Sequence, residues 1–137
     1  MKRSVERVLC YGFREAEKLN AVKEVMRGLG IECRVLPEES WREQVGFLLG
    51  LRGFKPHTAS TEEEFSFPGE VMVLHHIKGK RLDQVLAAMK QAGVPPIRYK
   101  AVVTPFNTFW TLRRLCETMR KEHQALAEGA VANGGQV

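Results

Sequence analysis

Two stretches of the chain, about 63 positions apart, carry the same order of apolar residues and helix-ending glycines. The matching pairs are Leu19 and Leu82, Val22 and Val85, Met26 and Met89, Gly30 and Gly93, and Ile31 and Val94. After a short insertion, PPIRY, they continue with Val35 and Val103, Pro37 and Pro105, Ser40 and Thr108, and Trp41 within one position of Trp110. This pattern predicts an internal repeat of a strand-helix-strand-helix unit, over residues 7–51 and 70–119. A chance echo of two ordinary amphipathic helices is the alternative.

Each half predicts the same elements from its hydrophobic periodicity. The predicted strands are 7–13, 31–36, 71–77 and 98–104, and the predicted helices are 15–29, one that begins near residue 40, 80–92 and 108–128. A capping box of the form Ser40-x-x-Glu43 predicts the start of the second helix. Residues 52–69, which include Glu62, Glu63 and Glu64, are predicted to form a mobile surface loop. Trp41 and Trp110 are both predicted to be buried.

Strand composition separates the centre of the sheet from its edges. The first and third strands are apolar on both faces, which is typical of central strands. The second and fourth alternate with charged residues, which is typical of edge strands. We therefore predict an α/β fold with four strands and four helices, a two-layer ferredoxin-like sandwich of order 4-1-3-2 built from a duplicated β-α-β-α unit. A small parallel doubly wound sheet of order 2-1-3-4 is the alternative. Residues 1–128 form the predicted domain and 129–137 a flexible tail.

The ferredoxin-like prediction has a consequence for partners. Helices cover only one face of such a sheet, so Met72 and Leu74 on the third strand would need another cover. A second copy of the chain would supply that cover, which predicts a homodimer formed through this apolar sheet face.

Composition limits the class of protein. The chain has 137 residues, the size of one domain, and 44% of them are hydrophobic. The net charge of +5 permits weak attraction to nucleic acid, but acidic residues are interleaved with basic ones nearly everywhere, so nucleic-acid binding is only a weaker alternative. Three cysteines without a paired motif favour a reducing, cytoplasmic location. No signal-peptide core is evident, and no window has the roughly 20 apolar residues of a membrane span.

The turn TPFNT ends the fourth strand and begins the last helix. We interpret Thr104, Asn107 and Thr108 first as a strand end and a helix cap, because hydroxyl and amide oxygens accept bonds from the first N–H groups of a helix. The same N–H groups attract anions. The turn is therefore also the candidate site for a small anionic ligand, such as a metabolite or nucleotide, with Lys78 or Lys100 as counter-charge.

Catalysis and metal binding have less support. Neighbouring residues of a strand point to opposite faces, so His75 and His76 are not expected to chelate one metal together. No catalytic motif or Gly-rich phosphate loop is present. We expect a non-enzymatic binding or regulatory module without a cofactor or metal. An enzyme or small-molecule sensor that uses the strand-helix turns is the alternative.

The stretches GFLLGLRGF and GVPPIRYKAVVTPFNTFWTLRRLCETMRKEH resemble a family of small uncharacterised proteins from anaerobic Gram-positive bacteria, catalogued as a domain of unknown function. The second half carries the stronger likeness, through KAVVTPFN, Trp110 and the closing KEH. The resemblance implies a stand-alone cytosolic bacterial protein and implies no activity, substrate or cofactor.

Overall fold

The computed structural model describes residues 5–57 and 65–127. The elements are β1 (Arg7–Tyr11), α1 (Ala16–Gly28), β2 (Glu32–Val35), α2 (Val45–Leu48), β3 (Val71–His75), α3 (Lys80–Gln91), β4 (Tyr99–Val102) and α4 (Leu112–Ala127). Two 3-10 turns, Glu38–Arg42 and Asn107–Phe109, precede α2 and α4. The predicted α/β class with four strands and four helices is confirmed. Part of the predicted loop, 58–64, and the predicted tail, 129–137, lie outside the described residues. No helix in the described ranges is long and apolar enough to cross a membrane.

The four strands form one mixed sheet of order β2-β1-β3-β4. β1 pairs with β2 and β3 pairs with β4 in parallel, whereas β1 and β3 are antiparallel, with Leu9 opposite Val73. The predicted central and edge strands are confirmed. The ferredoxin-like order 4-1-3-2 is wrong, and the doubly wound alternative has the right order but the wrong direction for the central pair. The physical reason is that each half forms its own parallel β-α-β unit, and the two units join through their apolar first strands.

Helices cover both faces of this sheet. On one face, α1 and α3 pack against alternate residues of the central strands: Val8, Cys10, Met72, Leu74, Val22, Met26, Val85 and Met89 share one buried cluster. On the other face, α2 and α4 cover Leu9, Tyr11, Val71 and Val73 in a second cluster. The sheet is therefore the middle of three layers and not one of two.

Within the described ranges, this three-layer arrangement leaves no apolar sheet face uncovered, and an uncovered face was the basis of the predicted homodimer. Met72 is completely buried and Leu74 is 1% exposed, beneath helices of the same chain. The apolar sheet face that was expected to recruit a second copy is already covered, because the second helical layer comes from the same chain.

The predicted second helix is interrupted. Ser40 lies inside the first 3-10 turn and does not cap a helix, so the predicted capping box is absent. Two reciprocal bonds join the starts of α2 and α4: Val45 N–H donates to the Trp110 carbonyl and Leu112 N–H to the Glu43 carbonyl, each at 2.9 Å. Trp41 is buried, as predicted. Trp110 is only half-buried, because it lies opposite Val45 at the start of α2 and its ring packs against the exposed Arg114 guanidinium, 4.4 Å from the ring centroid.

Candidate functional site

A cleft of about 480 Å³ opens where the parallel strands β3 and β4 end. Ligands of open α/β sheets bind at such carboxyl ends of strands. The end of β3 and the turn after it contribute Leu74, His75, His76, Ile77 and Lys78, and the end of β4 and the next turn contribute Val102, Val103, Thr104, Pro105 and Thr108. None of these lining residues is acidic, so the cleft presents cationic, hydroxyl and apolar groups.

His75 and His76 do not point to opposite faces of the sheet, as neighbouring residues of a strand do. His76 has a left-handed backbone, with φ of 59°, which ends the alternation of β3. The two imidazole rings therefore lie together, with 3.8 Å between their centroids. The prediction that the rings point to opposite faces is wrong, because His76 is no longer in an extended strand. No group of three or more His, Cys, Asp or Glu in the described ranges is arranged to hold a metal ion.

His75 is the more unusual of the two. It is only 8% exposed, and its Nδ1 atom is buried without a hydrogen-bond partner within the part of the chain that the structure describes. Burial, and then the positive charges of His76 and Arg7, lower the pKa of His75 to about 4. At neutral pH the ring is therefore uncharged, and one buried polar atom lacks the partner that such atoms nearly always have.

The start of α3 follows the lining directly. Gly79, at the N-cap, has φ of 58° and no side chain caps the helix. The first N–H groups of a helix have no acceptor within it, and they carry the positive end of the helix dipole. Lys78 is exposed beside them. The Arg81 guanidinium is not available to a ligand in the same way, because it pairs through two bonds of 2.8 and 2.9 Å with the Glu6 carboxylate.

The TPFNT turn forms the opposite wall. Asn107 is 2% exposed; its amide oxygen accepts a bond from Thr104 N–H at 2.8 Å, and its amide nitrogen donates to the Val102 carbonyl at 3.0 Å. Asn107 N–H in turn donates to the Thr104 hydroxyl oxygen at 3.1 Å. The Thr108 hydroxyl donates to the Pro105 carbonyl at 3.1 Å. Asn107 therefore fixes the turn from inside, while Thr104 and Thr108 line the cleft.

The structure brings together three of the five predicted anion-site residues, namely Thr104, Thr108 and Lys78, in the lining of one cleft. Asn107 supports the turn from behind. Lys100 is at the other end of β4, where its ammonium donates to the Ile97 carbonyl at 2.7 Å and burial lowers its pKa. Lys100 is therefore not the counter-charge of this cleft. The anion site predicted from the sequence did not include His75 or His76, although their place at the end of an apolar run is a signal for such a site.

A second, smaller cleft of about 230 Å³ lies at the corresponding strand ends of the first half. Tyr11 and Gly12 occupy the positions of His75 and His76, and Gly12 has a similar left-handed backbone, with φ of 77°. This cleft differs in chemistry. Glu38 lines it, the Tyr11 hydroxyl donates to the Glu38 carbonyl at 2.7 Å, and Phe65 and Phe67 form an additional wall that has no counterpart in the larger cleft.

Two cysteines also meet in the structure, which their spacing did not predict. The Sγ atoms of Cys10 and Cys33 are 3.7 Å apart on the neighbouring strands β1 and β2. The hydrogen bond to Cys33 and burial raise the pKa of the Cys10 thiol. Burial raises the pKa of Cys116 to about 12. None of the three lines the larger cleft, so we do not assign them to the candidate site.

Residues 70–126 match a family described as Domain of unknown function (DUF3783). The matched segment contains β3, α3, β4 and nearly all of α4, and thus every residue that lines the larger cleft. The likeness of the second half to a domain of unknown function is confirmed. No curated protein and no solved structure matches the chain.

Proposed function

We propose that the protein is a binding module that takes a small anionic ligand, carrying a phosphate or carboxylate, in the cleft between β3 and β4. The observation that carries this proposal is the chemistry of the lining. Among the residues that the structure describes, the lining contains Lys78 and two histidines and no acidic residue, and the start of α3 alongside has no side-chain cap. Backbone N–H groups at a helix start attract anions, and the dipole adds roughly half a positive charge there.

His75 supports the same proposal independently. A buried imidazole nitrogen without a partner is unfavourable, by about 1–3 kcal/mol for a typical polar group. In the tautomer that carries a proton on Nδ1, this ring would donate a hydrogen bond to a ligand oxygen in the cleft once the neighbouring His76 ring, tilted by 36° against it, moves aside. His76 is exposed, so its side chain has room to move.

A non-enzymatic role fits the side chains of the lining. The hydroxyl of Thr108 is engaged with the Pro105 carbonyl and that of Thr104 with Asn107 N–H. Within residues 5–57 and 65–127, neither threonine is paired with a histidine or carboxylate that would activate it as a nucleophile.

We infer further that the two halves are a duplicated unit in which only the second keeps the open cleft. Their elements follow in the same order, and the hydrogen bonds between the α2 and α4 starts are reciprocal. In the first half, the carboxylate of Glu38 offsets the charge of Arg14 in the lining, and the cleft, which Phe65 and Phe67 also line, has about half the volume.

Thermal unfolding in the presence of inorganic phosphate, pyrophosphate and citrate tests the proposal. A ligand that binds only the folded state stabilises it by mass action, by about 2.7 kcal/mol at one hundred times Kd. We expect at least one anion to raise Tm in proportion to the logarithm of its concentration. Lys78→Ala should reduce this rise, whereas Lys90→Ala, which removes the same charge from the last turn of α3, should not.

Equal shifts in wild type and in Lys78→Ala would contradict the assignment of the anion to this cleft. No shift with any of the anions tested would contradict the proposed function itself.

A further inference from the structure

Two phenylalanines on the turn beside the cleft are exposed to solvent. Phe106 is 79% exposed and Phe109 is 66% exposed, more than any other large apolar residue that the described ranges show. A single exposed apolar side chain is ordinary in a folded protein. Two rings on one short turn form a patch that folding of this chain does not explain, because they bury little of their surface in its core.

The turn that carries these two rings also forms one wall of the cleft, through Pro105 and Thr108. A 3-10 helix has three residues per turn, so residues three apart share a side and successive residues differ by about 120°. Pro105 and Thr108 face the cleft, Asn107 faces the core, and Phe106 and Phe109 share the third, outward side. The Cα of Phe106 is one peptide unit, about 3.8 Å, from that of Pro105 in the lining.

Contacts with the rest of the chain fix the position of Phe109 and of the turn. Phe109 contacts the ring of Phe54, with 5.4 Å between centroids, and Phe54 occupies the space that a Cβ on Gly46 would need. Asn107 fixes the turn through its buried hydrogen bonds. We call the surface formed by Phe54, Phe106 and Phe109 the aromatic ledge.

We propose that the ligand of this protein is a nucleotide, with its phosphate in the β3–β4 cleft and its base stacked on the aromatic ledge. This inference rests on the proposed function and names its ligand class. Exposed aromatic rings stack on bases of any sequence, because every base has a π face. His75 lines the same cleft, and its Nδ1 is buried without a partner among the described residues; in the tautomer that carries a proton on Nδ1, this ring would add a second donor for the phosphate beside Lys78 and the α3 start.

The size of the ledge favours a small ligand over a protein partner. An aromatic side chain buries about 150–250 Å² when it is covered completely. Two rings that are already partly covered therefore offer about 400 Å² or less, whereas a stable protein–protein interface buries about 800 Å² on each partner. A nucleobase covers one ring, and its phosphate accounts for the cationic cleft that a purely apolar partner would leave unused.

Isothermal titration calorimetry at constant ionic strength tests this inference. The titrants are four nucleoside diphosphates (ADP, GDP, CDP and UDP), pyrophosphate and adenosine. We expect at least one nucleoside diphosphate to bind about tenfold or more tightly than pyrophosphate, the gain that one stacked base gives. Phe106→Ala should remove this gain and leave pyrophosphate binding unchanged. Lys78→Ala should weaken both. Val35→Ala, which trims an exposed apolar residue on the opposite edge strand, should change neither.

The unfavourable outcomes are distinguishable. If pyrophosphate binds as tightly as every nucleoside diphosphate, the nucleotide inference is overturned while the anion site stands. If no titrant that carries a phosphate binds, the nucleotide inference is overturned, and the proposed anion site falls with it when citrate also fails to raise Tm. Light scattering of the same samples tests whether a second copy of the chain occupies the aromatic ledge instead. If the protein is a dimer that Phe106→Ala converts to a monomer, with nucleotide binding unchanged, the ledge is an interface between copies and the inference is overturned.

Discussion

His76 has the most informative single backbone conformation in the molecule. It is the one non-glycine residue with positive φ within the described ranges, and the corresponding position in the first half is a glycine, Gly12. A left-handed backbone costs an ordinary residue about 1–2 kcal/mol. Such strain is found more often at functional sites than elsewhere. Here it has a visible effect, because it lays the His76 ring against His75 at the mouth of the cleft.

A single residue, His75, should make the free energy of unfolding depend on pH. Its pKa is about 4 in the folded protein, because of burial and of the charges of His76 and Arg7, and near 6.5 when unfolded. Between these values the unfolded chain binds more protons, so the stability conferred by a neutral His75 is complete above pH 6.5 and is lost as pH falls toward 4. The full effect is about 3 kcal/mol at most.

Chemical denaturation at pH 7 and pH 5 measures this effect. His75→Gln, which does not titrate, should lose less stability over this interval than the wild-type protein. Equal losses in both proteins would show that His75 is not the group responsible.

At the scale of the elements, α2 and α4 begin differently from the helices predicted from the sequence. Each half reaches its last helix through a 3-10 turn and not through a capped α-helix. The side-chain cap of α4 comes from Thr111, whose hydroxyl accepts a bond from Arg114 N–H at 3.1 Å, and not from Thr108. The reason is that the reciprocal bonds between residues 43–45 and 110–112 delay the start of both helices.

The turn before α4 should therefore respond unequally to two substitutions that looked alike in the sequence. Asn107→Ala removes two side-chain hydrogen bonds to partly buried backbone groups and should cost about 2–4 kcal/mol of the free energy of unfolding. Thr108→Ala removes one bond from a half-exposed hydroxyl and should cost about 0.5 kcal/mol. Urea unfolding of both variants provides the comparison, and similar costs would contradict the structural role given to Asn107.

The whole molecule is a three-layer sandwich in which both faces of the sheet are covered by helices of one chain. This arrangement explains why β1 and β3 are apolar on both faces. Each central strand contributes alternate residues to two separate cores, so neither face needs a second copy of the chain.

Met72→Ala tests this view at the scale of the molecule. Because Met72 is fully buried between β3 and the α1–α3 layer, the substitution should cost about 2–5 kcal/mol of stability, as large-to-small core changes do. It should leave the apparent mass in light scattering unchanged. A mass that falls for Met72→Ala, with little loss of stability, would instead support self-association through this face.

The sequence by itself determined the kind and order of the elements and which strands are central. These properties follow from local periodicity: alternation in residues 31–36 marks an edge, and two-sided apolar strands mark the centre. The candidate site was partly predictable from the same periodicity. It locates the ends of the third and fourth strands, and Lys78, Thr104 and Thr108 lie at or just after those ends.

Only the tertiary structure decided the direction of β1 against β3, because side-chain alternation is the same whichever way a strand runs, and the long connection before β3 fits either direction. It also decided that one chain supplies both helical layers. The meeting of His75 with His76 depended on one left-handed residue. Lys100, by contrast, lies near the start of the predicted strand 98–104, so the sequence was already sufficient to exclude it from a site at the end of that strand. The direction of β1 against β3 and the source of the two helical layers arise when distant segments pack together, and local periodicity carries no information about them.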